Sequence, residues 1–105
     1  MSSVKFVQLD LNSPAFQESW FELVADEAER VRATLKKIAK LTWQQVYSDK
    51  GLHWKKIYSV TPPRGVDAIY SFRLSKSSRG LGFRDGQFLR VLLVCADHDG
   101  TYGRK

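Results

Sequence analysis

Cysteine is nearly absent from this chain. Its 105 residues contain a single cysteine, Cys95, which excludes an internal disulfide and any metal site built on several thiolates. Cys95 lies in the most apolar stretch of the sequence, where we expect it to be a buried, small apolar side chain.

Long apolar runs are missing as well. No stretch is long enough to span a bilayer. The start, Met-Ser-Ser-Val-Lys-Phe, lacks the apolar segment and the cleavage site of a signal peptide. We therefore expect a cytoplasmic protein with no membrane partner. A nucleotide-binding glycine loop and a serine-nucleophile motif are also missing.

Length and composition predict one domain over residues 1–105. Hydrophobic residues make up 43% of the chain, enough for one buried core and too many for a disordered segment. The formal net charge is +6, with −1 over residues 1–49 and +7 over residues 50–105. Such an asymmetry is typical of proteins that bind a polyanion, here nucleic acid or an acidic protein segment.

The first half of the chain predicts helices. Asn12-Ser13-Pro14 is a strong helix start, and apolar residues recur every three or four positions from Phe16 to Ile38. This pattern fits one long helix or two. We predict two, with Asp26 and Glu29 forming a capping box for the second.

The second half predicts strands at about 68–76, 79–84 and 87–96, after a first strand at 4–9 and a short helical turn capped by Thr42. The expected fold is α+β, with a helical pair packed on one face of a small antiparallel sheet. The apolar strand at 87–96 is expected inside the sheet.

A hairpin turn sets the predicted register of the last two strands. Asp85-Gly86 is a preferred pair for a two-residue loop. With this loop, Arg79 and Arg90 become diagonal neighbours on one face, roughly 7–8 Å apart at the backbone. The opposite, core-facing side would carry Gly80, Gly82, Leu89, Val91, Leu93 and Cys95.

Three arginines are predicted to bind phosphate. Arg73 lies on the polar side of the preceding strand and could share a face with Arg79 and Arg90. Guanidinium groups suit phosphate and can stabilise charge at a phosphorus centre. The alternative is that these arginines are ordinary solvated strand residues.

The tail carries the candidates for proton transfer. His98 lies between Asp97 and Asp99, and histidine titrates near neutral pH. Tyr102 could stack on a base or donate a hydrogen bond. A polar turn explains His98 equally simply, and these three residues do not form a closed metal shell, so we predict no metal and no cofactor.

A basic and aromatic rim is predicted from residues 53–56. Lys55 and Lys56 would extend the phosphate-binding surface, and Trp54 offers a ring on which a base can stack. A place in the core is an equally good interpretation of Trp54.

From Ile69 to Tyr102 the chain resembles the RelE/ParE toxin superfamily, including its host-inhibition-of-growth branch. The resemblance lies in Tyr-Ser-Phe-Arg-Leu, the arginine after Ser77-Ser78, the Asp-Gly hairpin, the apolar strand, and a histidine and tyrosine near the end. It implies the toxin of a type II toxin–antitoxin system, with an antitoxin as partner. Ribonuclease members cleave mRNA, usually on the ribosome, without a metal.

Residue by residue, the resemblance implies that Arg79 contacts the scissile phosphate and that Arg73 is the basic residue of the preceding strand. It places His98 and Tyr102 in the tail that supplies acid–base and base-stacking groups. Arg90 has no counterpart and depends on strand geometry alone. The sheet lacks the glutamate that some members use as a base, so His98, Lys55 or Lys56 would accept the proton.

Two other functions fit the same sequence. One is a toxin of this fold that poisons DNA gyrase without catalysis. The other is an RNA-binding or ribosome-associated module without enzymatic activity, which explains the basic half and the aromatic residues equally well.

Overall fold

One strand, three helices and then four strands follow in order along the chain in the computed structural model, which describes residues 4–96. Its helices are α1 (Pro14–Phe21), α2 (Ala25–Ile38) and α3 (Trp43–Ser48). Its strands are β1 (Gln8–Asp10), β2 (Lys55–Ile57), β3 (Ile69–Arg73), β4 (Ser78–Asp85) and β5 (Phe88–Ala96). The expected α+β class is confirmed.

Helix starts follow their capping residues at two of three positions. The Ser13 hydroxyl accepts a hydrogen bond from the Phe16 N–H, with Pro14 at the first helical position. Thr42 forms a capping box with Gln45 at the start of α3. Two separate helices precede it, as predicted, but the capping box at Asp26 is wrong. The second helix begins two residues earlier than predicted, with Val24 at the N-cap, so Asp26 already lies in the first turn, where its negative charge interacts favourably with the helix dipole.

The sheet has the order β1-β5-β4-β3-β2 and is mixed rather than purely antiparallel. β1 pairs parallel to β5, whereas the other three pairings are antiparallel. A parallel pair needs a long crossover, and the helices and strands between β1 and β5 supply it. β5 lies inside the sheet, as expected.

The β4–β5 turn lies one residue later than predicted, which shifts the cross-strand partners by two residues. Asp85 pairs with Phe88, so the loop is Gly86-Gln87 rather than Asp85-Gly86. Gly86 has a φ of 63°, which suits a turn with glycine first. The Gln87 carbonyl is held by the indole N–H of Trp43 at 3.1 Å and by the Gln8 N–H at 2.9 Å. These bonds to residues far along the chain favour the shifted turn.

A β-bulge at Leu92 changes the register again. Gly82 pairs with Val91 and Leu81 pairs with Leu93, so Leu92 has no partner on β4. The Ser13 hydroxyl donates to the Leu92 carbonyl at 3.2 Å. Beyond the bulge the side chains of β5 exchange faces. Leu93 and Cys95 therefore lie opposite the core, contrary to the prediction, and Val94 takes the buried place.

One face of the sheet carries the core, and the helices pack against it. The buried cluster joins one face of each helix to the same face of the sheet, and includes Phe16, Val31, Leu35, Ile38, Trp43, Val46, Phe72, Leu89, Val91 and Val94. Glycine allows the close packing, because a Cβ on Gly80 would lie 2.5 Å from the Phe72 ring. We call the opposite side of the sheet the outer face.

Within residues 4–96, no helix combines the length and the apolar character needed to cross a bilayer.

Candidate nucleic-acid interface

Cationic side chains from three strands meet on the outer face. Arg73 pairs directly with Arg79, and Lys55 pairs with Ser71, two residues before Arg73. Side chains alternate along a strand and match across a pair, so all four project to the same side. We call Lys55, Arg73 and Arg79 the basic face. Lys55 and Arg73 are exposed, and Arg79 is half-buried.

Arg73 and Arg79 are direct cross-strand neighbours, whereas the sequence predicted only that they share a face. Directly opposite residues of an antiparallel pair have Cβ atoms about 4.5–5.5 Å apart. Two guanidinium groups at that spacing can each offer a planar set of donors to one phosphate or to adjacent phosphates. The prediction that Arg73 and Arg79 share a face is confirmed.

Ser71 adds an unsatisfied hydroxyl to this face. It is 1% exposed, and its Oγ has no hydrogen-bond partner among the described residues. Buried hydroxyls normally have a partner. At 1% exposure the hydroxyl lies beneath the basic face, so Ser71 spaces Lys55 and Arg73 but is not itself accessible to a ligand.

Arg90 lies on the outer face as predicted, but it is not a neighbour of Arg79. Its register partner is Phe83, four residues along β4 from Arg79, which is roughly 13 Å at the usual rise of a strand. The shifted turn and the bulge cause this separation. Arg90 instead binds Asp10 and donates to Asp85 at 2.8 Å.

These two carboxylates give Arg90 a structural role. The hydrogen bonds that Arg90 donates to Asp85 and Asp10 raise the pKa of its guanidinium. The Asp10 pKa is lowered, first by the Asn12 N–H and then by Arg90, against the effect of burial. The pair ties β1 to β5 and partly neutralises the charge that was expected to bind phosphate.

Lys56 and Trp54 lie on the other side of the sheet. Lys56 pairs with Tyr70, and its Nζ lies 5.1 Å from the centre of the Tyr58 ring. Trp54 stacks on Tyr70 at 4.8 Å and on Phe72 at 5.7 Å. Trp54 therefore packs against the core, and neither residue joins the basic face.

A buried carboxylate fixes the loop that leads into Arg79. Glu27 of α2 accepts hydrogen bonds from the hydroxyls of Ser75 and Ser78 and from Arg30 Nε at 3.1 Å. Burial alone would raise the pKa of Glu27, but these hydrogen bonds outweigh it and lower the pKa to about 2. An ionised Glu27 thus holds the start of β4 against α2.

A second feature, which the sequence analysis did not predict, is an aromatic cleft of 540 Å³ at the other end of β4. Its walls include Tyr47, Trp54, Tyr70, Arg84 and Asp67. β3 pairs with β4 only as far as Gly82, so the chain before β3 diverges from the end of β4 and leaves this gap. The spacing of Trp43 and Tyr47 on one helical face was the available signal.

His98 and Tyr102 lie outside the described residues, as do Asp97 and Asp99. Their predicted roles stay predictions. Within residues 4–96, no group of three histidine, cysteine, aspartate or glutamate side chains could hold a metal ion.

Comparison with known proteins adds no further assignment. No family model, curated protein or solved structure matches the chain. The resemblance to the RelE/ParE superfamily therefore stays a prediction, and the functional argument depends on the residues themselves.

Proposed function

We propose that this protein is a RelE-like toxin of a type II toxin–antitoxin system. It would act as an endoribonuclease that cleaves mRNA, in association with the ribosome, without needing a metal ion. A cognate antitoxin would restrain it in the cytoplasm. The observation that carries the proposal is the placement of Arg73 directly opposite Arg79, with Lys55 on the same face of the neighbouring strand.

The end of β5 supports the same site. The strand pairing sets Ala96 opposite Ser78 and Cys95 opposite Arg79. The predicted acid–base residue His98 follows Ala96 by two positions in the sequence.

The chemistry requires two proton transfers and charge stabilisation. The ribose 2′-oxygen attacks the adjacent phosphorus and loses its proton to a base, and the bond from phosphorus to the 5′-oxygen breaks. The 5′-oxygen takes up a proton, which leaves a 2′,3′-cyclic phosphate and a 5′-hydroxyl. Arg73 and Arg79 would stabilise the charge gained by the phosphoryl oxygens. His98 would serve as acid or base, and Tyr102 would orient the nucleotide.

This function is tested by adding the purified protein to translating ribosomes and mapping the ends of the mRNA. New 5′-hydroxyl ends are expected with the wild-type chain. Arg79→Gln should reduce their yield by about 10²–10³-fold, as for the loss of one charge-stabilising donor, and should relieve growth arrest on expression. Arg64→Gln, which removes an exposed arginine outside the basic face, is the matched control.

Undiminished cleavage and toxicity in both Arg79→Gln and His98→Asn, at equal protein levels and with unchanged circular dichroism, would refute the proposed site.

A non-catalytic RNA-binding module is the second candidate. One observation favours it: the described part of the basic face, Lys55, Arg73 and Arg79, carries cations but no carboxylate or imidazole to accept a proton. Retained ribosome or RNA binding without any new 5′-hydroxyl ends would establish this alternative.

A further inference from the structure

The aromatic cleft at the end of β4 has the chemistry of a base-binding site. Its volume of 540 Å³ lies within the usual range for small-molecule sites, about 300–1,000 Å³. Tyr47, Trp54 and Tyr70 supply aromatic surface, and Tyr47 is 50% exposed. A planar ring of nucleobase size can stack there.

Arg84 provides directed donors at one wall. Its guanidinium lies 4.9 Å from the centre of the Trp43 ring, and it donates to the Tyr47 hydroxyl at 2.9 Å and the Gly86 carbonyl at 2.8 Å. Two of its five N–H donors are thereby used. The remaining three are held in place by the stacking and can bind a ligand.

Carboxylates provide acceptors. Asp67 and Asp85 both border the cleft. Asp85 accepts from Arg90, whereas Asp67 is exposed and makes no hydrogen bond or ion pair with any residue in the range 4–96. Asp67 is therefore available to accept two hydrogen bonds from a ligand.

This combination discriminates between ligand classes. Arg84 disfavours a cation, and the two carboxylates disfavour a phosphate or another anion. A neutral planar ring fits both kinds of group if one edge carries acceptors for Arg84 and another edge carries adjacent donors for a carboxylate. Guanine has the O6 and N7 acceptors that arginine binds in pairs, and it alone among the RNA bases has two adjacent donors, at N1 and N2, for a single carboxylate.

The cleft opens between the two sides of the sheet. Phe83 projects to the same side of β4 as Arg79, four residues and roughly 13 Å away, whereas Tyr70 and Arg84 project to the helix side. A strand of RNA whose backbone crosses Arg73 and Arg79 would therefore place a base in the cleft, one to two nucleotides away, through the gap that opens where β3 stops pairing with β4.

We propose that the aromatic cleft holds a guanine base of the RNA strand bound on the basic face. The inference rests on the proposed function for the presence of RNA, but not on cleavage. Asp67 would bind N1 and N2, Arg84 would bind O6 and N7, and the aromatic wall would stack on the ring.

Binding of uncleavable RNA tests the inference separately from catalysis. Short 2′-O-methyl oligouridines lack the attacking hydroxyl, and one central guanine or one central adenine can be introduced. By fluorescence anisotropy, the wild-type protein should bind the guanine oligomer at least about tenfold more tightly than the adenine oligomer. Asp67→Asn and Arg84→Gln should each lose this preference. Asp26→Asn and Arg64→Gln, exposed residues outside the cleft, should keep it.

Equal binding of the two oligomers would overturn the inference, and so would a guanine preference that survives Asp67→Asn. Binding of guanosine monophosphate as tight as that of the guanine oligomer would assign the cleft to a free nucleotide and refute the strand path. Since no cleavage is measured, a protein without ribonuclease activity can still show the preference, and a ribonuclease can lack it.

Discussion

At the scale of single residues, the fold depends on a few polar side chains that hold distant segments together. Glu27 is a buried charged residue, at 7% exposure, and its partners Ser75 and Ser78 lie about half the chain away. A buried carboxylate costs free energy unless it is fully hydrogen-bonded. Here the hydrogen bonds are sufficient to keep it ionised, with a pKa of about 2 against an ordinary value of 4.5.

Glu27 should therefore make stability depend on pH in a defined window. Because its pKa is lower in the folded state, its contribution is complete above pH 4.5 and is lost as the pH falls towards about 2. The lost contribution is on the order of 3 kcal/mol. In urea titrations followed by tryptophan fluorescence, Glu27→Gln should be less stable than wild type at pH 7, and the gap should narrow through this window.

Glu22→Gln serves as the matched control, since Glu22 is exposed at the end of α1 and lies outside the network. Its difference from wild type should be small and constant. If the difference in the free energy of unfolding between Glu27→Gln and wild type stays constant with pH, the ionised form of Glu27 does not stabilise the fold.

At the scale of elements, the bulge on β5 decides which side chains share the outer face. The close approach that it creates explains Gly82, because a Cβ at this position would collide with the backbone carbonyl of Arg90. That carbonyl belongs to the neighbouring strand and cannot rotate away like a side chain.

Gly82→Ala should accordingly destabilise the protein by about 1–3 kcal/mol, the usual cost of overpacking. Gly51→Ala is the comparison, since an added Cβ there would meet only the flexible end of Asp49, at 3.2 Å. Urea midpoints of the two variants measure the difference. Equal midpoints would mean that β4 and β5 can move apart at the bulge without loss of stability.

Local signals in the sequence were sufficient for elements but not for registers. Ser13, Pro14 and Thr42 predicted helix starts because a cap acts within four residues of itself. The turn moved by one residue because Trp43 and Gln8 bind the Gln87 carbonyl, and the bulge is held by Ser13. These contacts join residues far apart in the chain, which no local pattern encodes.

The candidate site was predictable to the same extent. Arg73 and Arg79 share a face because alternation alone sets it, whereas the distance from Arg79 to Arg90 depended on the register and was wrong. The aromatic cleft combines α3, the chain before β3 and the end of β4, so only the assembled fold brings its residues together.

At the scale of the whole molecule, the net positive charge lies in the half of the chain that forms most of the strands. Residues 50–105 hold a net charge of +7 and residues 1–49 a net charge of −1. Helices α1, α2 and α3 thus form a nearly neutral layer behind the sheet. By charge alone, a polyanion would be attracted to the strand half of the chain more than to the helices.

Single cations on the outer face should differ in their effect on salt-dependent RNA binding. For single strands, each phosphate contact contributes about 0.7 to the slope of log affinity against log salt, owing to counterion release. Arg73→Gln should reduce the magnitude of the slope by about 0.7 for a bound phosphate. Arg90→Gln should leave it almost unchanged, because Asp10 and Asp85 already balance that charge.

Anisotropy titrations with an uncleavable oligouridine, at salt concentrations from about 50 to 200 mM, give both slopes on the same strand of RNA. The comparison is informative because both arginines lie on the outer face, and Arg90 is held there by Asp10 and Asp85. Equal reductions would mean that Arg90 releases its carboxylates to bind RNA. No reduction for Arg73 would place the RNA elsewhere, and with it the phosphate that Arg79 is proposed to stabilise.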